Sequence, residues 1–336
     1  MRVLMVGFDP LSSGIGSYSI ELAKLINSFA QTFIVSLNEK LKLENIETIE
    51  IYYSSLPSFT PLLNGLLINK KIVEIYNEIS PDIIHETLPP VAFSLDKRVT
   101  TRWGYVNFFQ LAWIRSTQMP FPYNLGGIPV TTQHLIGDLL SHHNAKKIID
   151  VSQNTENFIP PPMSVGPLKP EAEEESLQLL FVARDIRIKR KNLKVILDAL
   201  KISKKRYTLH IVGKGDIKGE NIIYHGYKKR EDLLKIMNKC DVLILPSTYE
   251  ELGYVGLEAY SIGLPVIASN ITSFRTVFKK SIFFNPYNPV ELANLLDSLD
   301  REKLRNIGIE SREYLIKANE LAKNKLLEIY KSITLK

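Results

Sequence analysis

The 336-residue chain is 45% hydrophobic and 23% charged, with 17 Gly and 18 Pro, a mix that excludes a disordered, collagenous or disulfide-scaffold chain. Its length exceeds one ordinary core and predicts two domains. The net charge of +6 is unevenly held, with 12 Lys/Arg against 14 Asp/Glu in residues 1–160 and 30 against 22 in residues 161–336, so an anionic ligand is expected on the C-terminal half unless the lysines only solvate a surface.

The first strand is predicted at Arg2–Gly7, followed by a helix over Gly14–Phe29 and a strand at Thr32–Leu37. Between the first two lies DPLSSGIGSY, where Gly14 and Gly16 leave backbone N–H groups accessible at a strand-to-helix turn. The full GxGxxG spacing is missing, so a tight turn with no ligand is an equal alternative. A helix at Leu62–Ile79 precedes strands at Asp82–His85, Arg98–Thr101 and Lys147–Ser152. His85 ends its strand and reads either as a core histidine or as a group facing the cleft. Trp103–Tyr123, WGYVNFFQLAWIRSTQMPFPY, is aromatic without a clean period and reads as core, acceptor wall or membrane-touching lip. His142 and His143, on a predicted helix with no cysteine or carboxylate cluster beside them, are assigned to the surface and not to a metal.

Ile159–Ser176, IPPPMSVGPLKPEAEEES, has five prolines and an acidic run and predicts an interdomain linker over 161–176. Beyond it, strands at Leu177–Ala183, Thr208–Val212, Asp241–Leu245 and Val266–Ala268 alternate with helices at Asn192–Ser203, Lys229–Asn238, Val255–Ile262 and Pro289–Leu299. A last helix is placed at Glu320–Lys336. Short β-branched runs alternating with amphipathic helices predict buried parallel sheets with helices on both faces. The fold class is α/β, with two Rossmann-like doubly wound domains, 1–160 and 177–319, facing a central cleft, and with the last helix returning to the first domain. The lone Cys240 can form neither an internal disulfide nor a multi-thiolate metal site. The start MRVLMVGFDP lacks the regions of a signal peptide and no run reaches about 18 apolar residues, so a cytoplasmic protein is expected, at most peripheral at the inner membrane face.

In doubly wound sheets ligands bind beyond the carboxyl ends of strands. After the strand Asp241–Leu245 comes PSTYEELGYVGLEAYSIG, with Glu250 and Glu258 separated by seven residues. A helix starting near Gly253 would aim the amides of Gly253, Tyr254 and Val255 at an anion such as a diphosphate. Glu258, one turn in, could then accept hydrogen bonds from a ribose diol. The alternative makes Glu250 and its neighbour solvated helix-start acids. After Leu177–Ala183 comes RDIRIKRKN, five cations in nine residues opening a helix, where cations oppose the dipole and call for an external anion or a solvated loop.

PSTYEELGYVGLEAYSIGLPVIAS resembles the donor-site signature of retaining glycosyltransferases of family 4, with the GT-B fold. FVARDIRIKRKNL, LHIVGKGD, IIYHGYKKREDLLKIMNKCDVLILPS and FFNPYNPVELANLL are similar to donor-domain segments of that family, and SSGIGSYSIELAKLI and AKKIIDVSQNTENFI to its acceptor-domain segments. The resemblance reaches a branch of mannosyl- and glucosyltransferases with an RKN element. It implies that Arg184 and Lys191, or Lys189 at the more usual spacing, neutralise the diphosphate of a nucleotide-sugar. Glu258 would bind the ribose, and Glu250 would contact the transferred sugar near its anomeric carbon. Gly253, Tyr254 and Val255 would hold phosphate and sugar through their amides, Gly226 and Tyr227 would lie beside the base, and Gly14 and Gly16 would let the acceptor loop approach the donor.

Three positions depart from the family. Trp103 stands where a sugar-site His is usual, Phe274–Arg275 replaces a common Pro–Glu pair, and Thr87 replaces a second His, leaving His85 beside it as the candidate sugar or acceptor contact. An indole offers one N–H and a flat apolar face, so Trp103 is expected to stack on a sugar ring or else to be buried. The resemblance implies a retaining, metal-independent hexosyltransferase without cofactor. It would use GDP-mannose or UDP-glucose and a glycan or lipid-linked acceptor, with no nucleic-acid partner. A catalytically silent nucleotide-sugar-binding scaffold or regulatory subunit is the alternative.

Overall fold

The computed structural model describes residues 1–7, 13–38, 40–52, 61–88, 91–103, 112, 116–118, 127–171 and 174–335. The chain forms two compact units: Met1–Thr117, Phe121–Pro162 and Ala318–Lys336 make the first, and Gln118–Pro120 with Met163–Lys317 the second.

The first unit contains β1 (Arg2–Val6), α1 (Gly14–Asn27), β2 (Gln31–Leu37), β3 (Glu47–Ile51), α2 (Pro61–Ile79), β4 (Ile83–Glu86), β5 (Arg98–Arg102), α3 (Gly127–His143) and β6 (Lys147–Asp150). Its six strands are parallel in the order β3-β2-β1-β4-β5-β6. The central strands are apolar on both faces, because helices cover both sides, and Leu4, Val35, Ile72 and Ile84 are fully buried.

The second unit contains β7 (Leu177–Asp185), α4 (Leu193–Ile202), β8 (Tyr207–Lys214), β9 (Ile222–Gly226), α5 (Arg230–Met237), β10 (Val242–Leu245), α6 (Tyr254–Ser261), β11 (Val266–Ser269), α7 (Thr272–Val277), β12 (Ile282–Phe284) and α8 (Pro289–Asp297). The order β12-β11-β10-β7-β8-β9 repeats the first unit's winding. Helix α4 packs with α8 over a core of Leu179, Phe181, Ile196, Leu209, Ile211, Val242, Ile244 and Ile267. Each such side chain contributes about 1.5–3 kcal/mol by leaving water.

Helix α9 (Arg301–Thr334) is longer than the sequence pattern predicts. Its missed first half carries Gly308, which weakens a helix reading yet is required by close approach, since a Cβ there would sit 2.0 Å from the Gly263 carbonyl oxygen. From Ala318 onward α9 belongs to the first unit, where Tyr330 is buried and Lys325 Nζ donates to the Phe158 carbonyl at 2.9 Å. Three edge strands, β3, β9 and β12, also escape sequence reading, because an edge position tolerates the mixed or short runs ETIEI, IIYHG and IFF.

The proline-rich segment is not a free tether. Ile159 and Met163 are buried, the amides of Gly166 and Lys169 donate to the Ser261 and Ile262 carbonyls at 3.1 and 2.8 Å, and Arg312 donates to the Gly166 carbonyl. Among the described residues no helix is long and apolar enough to cross a membrane.

Candidate functional site

In the second unit the winding reverses between β7 and β10, so their carboxyl ends frame a crevice where the two connections diverge. The loops meeting there are tied together by Asn192. It adopts the left-handed conformation (φ 57°, ψ 37°), and its Nδ2 donates to the Pro246 carbonyl at 3.1 Å and the Pro286 carbonyl at 2.7 Å. The Thr248 amide donates to the Arg190 carbonyl at 2.9 Å. The loops after β7, β10 and β12 are thereby fixed to one another before any ligand arrives.

That frame presents Glu250 to two cations. Lys191 Nζ lies 2.5 Å and Arg190 Nη1 3.0 Å from Glu250 Oε2, and Arg190 also donates to the Tyr249 carbonyl at 3.1 Å. Ser273 Oγ, from α7, donates to the Glu250 carbonyl at 2.6 Å. The Glu250 side chain is 14% exposed. Burial alone would raise its carboxyl, but Lys191 and then Arg190 outweigh it and hold the group at about 2, so Glu250 is a fixed carboxylate at neutral pH. Of the cations expected to face an anion, Lys191 is brought to the glutamate, whereas Lys189 and Arg184 are exposed. Arg190 is the residue that sequence reading passed over. It stood inside the counted basic run, but nothing in the run marked which member would fold back on Glu250.

Helix α6 begins as predicted. Gly253 is its N-cap at φ 67°, with no side chain capping the helix start. Glycine is required twice here, by the left-handed backbone and because a Cβ would approach Phe274 Cε1 to 2.6 Å. Phe274 is fully buried, so the departure from the family's Pro–Glu pair is a packing solution beneath the helix start, and Arg275 beside it is exposed. Tyr254 is buried and Val255 half-buried in the first turn. Glu258, one turn in and 8% exposed, pairs with Arg230 Nε at 3.1 Å. Gly226 ends β9 at φ 68°, with open space where a Cβ would stand, and the exposed ring of Tyr227 lies under Lys214 Nζ at 5.8 Å. Arg184, Lys191, Glu250, Gly253 and Glu258 thus share the carboxyl end of one sheet.

The expectations for the first unit need correction. The Gly16 amide is not free for a ligand: it donates to Ser13 Oγ, the N-cap of α1, at 2.9 Å, while Gly14 starts the helix exposed. His85 is a core histidine and not a sugar or acceptor contact. It is fully buried, with Nδ1 2.5 Å from Tyr330 Oη and Nε2 3.0 Å from Thr101 Oγ1, and burial lowers it to about 3. Trp103 is half-buried. Its one N–H donates to the Thr87 carbonyl at 2.6 Å, and its ring meets Tyr18 edge-on, with centroids 4.9 Å apart. Thr87, at the second usual His position, is itself tied to the Gly7 carbonyl and to Ser19. The aromatic segment that follows Trp103 lies mostly outside the described residues. Among the described residues, no group of three His, Cys, Asp or Glu side chains is placed to hold a metal ion.

Residues 168–321 match the sequence family described as Glycosyl transferases group 1. Over 119 residues the chain is 32% identical to an uncharacterized 41.2 kDa protein in the cps region of Klebsiella pneumoniae, covering 33% of each. Over 89 residues it is 36% identical to the O-antigen chain mannosyltransferase B of Escherichia coli, covering 26% of this chain and 23% of that one. The matched part therefore spans about a third of the first relative and about a quarter of the second. Among solved structures, sucrose-phosphate synthase from Thermosynechococcus elongatus superposes with a TM-score of 0.72 at 15% identity, over 99% of this chain and 98% of that one. The Anabaena protein HepE in complex with UDP and glucose superposes with a TM-score of 0.70 at 16% identity, over 99% and 100%. At such identities the likeness is one of fold, and the fold is GT-B.

Proposed function

We propose that this chain, a member of the group 1 glycosyl transferases through residues 168–321, is a retaining glycosyltransferase. It would move a hexosyl unit from a nucleotide-sugar of the GDP-mannose or UDP-glucose type to a glycan or lipid-linked acceptor. The observation that carries the reading is the meeting of Glu250, Lys191, Arg190 and the α6 N-terminus at the carboxyl ends of β7 and β10. A mannosyltransferase among its relatives and a HepE structure holding UDP and glucose support the donor class.

The reaction breaks the bond between the anomeric carbon and the leaving phosphate oxygen and forms one to an acceptor hydroxyl oxygen. Negative charge develops on the diphosphate, and in this reading Lys191, Arg184 and the first-turn amides of α6 would stabilise it. With attack on the same face, the leaving phosphate oxygen takes the acceptor proton, and no separate base is required. That route suits a chain whose nearest histidine to the family position, His85, is buried and neutral. Glu250, held ionised, would in this reading face the charge developing near the anomeric carbon. Side-chain cations supply the phosphate clamp, so the reaction is read as metal-independent.

The test is transfer or donor hydrolysis from radiolabelled UDP-glucose and GDP-mannose with and without EDTA. Turnover unchanged by EDTA and lost on Lys191→Ala, by about 2–4 kcal/mol of barrier, is expected. Turnover that vanishes with EDTA and returns with Mg²⁺ refutes the clamp. A second reading, donor binding without turnover, is favoured by Trp103, whose only donor is spent on the Thr87 carbonyl. A donor that raises the melting temperature of the protein but is never consumed would select it.

A further inference from the structure

We propose that the two cations on Glu250 have different jobs: Lys191 leaves the carboxylate for the diphosphate when donor binds, and Arg190 stays as the positioning residue that keeps Glu250 charged. The inference rests on the donor-site reading of Lys191 and Glu250. Both cations meet the same oxygen, Glu250 Oε2, and both side chains are 19% exposed. Their other ties differ. Arg190 is stitched to three consecutive residues: its carbonyl accepts from the Thr248 amide at 2.9 Å, and its Nη1 donates to the Tyr249 carbonyl at 3.1 Å as well as to Glu250. Among the described residues, the Lys191 ammonium meets Glu250 alone. An ammonium on a flexible stem changes partner by rotation about its own bonds, whereas a guanidinium pinned to a main-chain carbonyl cannot follow without breaking that bond.

The electrostatics favour the same division. Burial disfavours the charge on both side chains. At Arg190 the attraction of Glu250, then of Glu251, outweighs burial and raises the guanidinium; at Lys191 burial, with repulsion from Arg190, prevails and lowers the ammonium. Lys191 is thus the more weakly held, and a dianionic diphosphate offers it more charge than a carboxylate oxygen shared with Arg190. The charged groups acting on the Glu250 carboxyl are Lys191 and Arg190, both from the turn after β7. From the loop after β10, Glu251 stands near Arg190, and α7 contributes the uncharged Ser273 hydroxyl, which donates to the Glu250 carbonyl. With Arg190 in place the carboxylate therefore stays ionised after Lys191 departs. Without Arg190 the buried carboxyl would take up a proton, and a neutral acid cannot stabilise positive charge on a transferring sugar.

Calorimetric binding of UDP and GDP at pH 6, in two buffers of different ionisation enthalpy, gives both the affinity and the protons taken up, with no need for turnover. The diphosphate's own proton is common to every variant and cancels in the comparison. Arg190→Met should take up about half a proton or more per nucleotide beyond the wild-type protein, and bind about tenfold more weakly. Arg190→Lys should return toward the wild-type proton count, and Arg190→Met combined with Glu250→Gln should show no extra uptake. Glu250→Gln alone frees Lys191 without an exchange and should bind about tenfold more tightly. A proton count unchanged in Arg190→Met overturns the inference, even where affinity falls. So does extra uptake that survives Glu250→Gln, or a Glu250→Gln protein that binds no more tightly than the wild type. Each of these leaves the donor-site reading standing. Affinity untouched by Lys191→Ala, or no binding of either nucleotide to the wild-type protein, overturns that reading and this inference with it.

Discussion

Glu250→Gln tests the electrostatics of the site most directly. The wild-type carboxylate stands 2.5 Å from Lys191 and 3.0 Å from Arg190 and is held at about 2 against an ordinary 4.5. A depression of that size corresponds to about 3 kcal/mol of stability, because each pKa unit is worth about 1.4 kcal/mol. The side chain is 14% exposed, so solvent screening leaves most of that figure intact. The amide keeps the shape but removes the charge, leaving two half-buried cations facing each other. For a unit of this size the loss should lower its melting temperature by about 6–12 °C at pH 7. The folded-state value is depressed, so the contribution is complete above the unfolded value near 4.5 and fades as pH falls toward 2. Scanning calorimetry of both proteins from pH 7 to pH 3 should show a gap that is full above pH 5.5 and less than half by pH 3. A gap under 1 °C at pH 7, or one that stays constant into acid, would refute the ion-triad reasoning.

Gly253→Ala should cost about 2–4 kcal/mol from the left-handed backbone and the 2.6 Å approach to Phe274, read as a lower urea midpoint with donor affinity reduced. Asn192→Ala should cost about 2–3 kcal/mol by orphaning the Pro246 and Pro286 carbonyls, and should weaken nucleotide binding although Asn192 is not placed against the donor. His85, lowered to about 3 by burial, favours the folded state above its unfolded value near 6.5, and that advantage is lost as pH falls. Urea unfolding followed by tryptophan fluorescence should therefore weaken by about 1.4 kcal/mol per pH unit below 6.5, and His85→Gln should flatten the slope.

The sequence by itself determined the alternation of strands and helices, because a strand buried on both faces must be a short continuous apolar run and a covering helix must be amphipathic. It also placed Glu250, Gly253 and Glu258 just beyond a strand that the structure forms at Val242–Leu245, and strand ends are where a doubly wound sheet leaves backbone and charge accessible. The edge strands β3, β9 and β12 were illegible, because half their surface answers to solvent and their pattern is weak, whereas the edge strand β6 was legible from its apolar run. Tertiary structure alone decided which charges meet. Lys191 and not Lys189 reaches Glu250 because Asn192 turns the chain left-handed between the loops it ties. Arg190 also reaches Glu250, across a separation of 60 residues, and Arg230 finds Glu258 from a different helix. Whether His85 faces solvent or core depended on Thr101 and Tyr330, one from the next strand and one from the far end of the chain. Spacing along a chain fixes which residues share an element, but the partner of a charge is chosen by where other elements pack, and a local pattern carries no record of that.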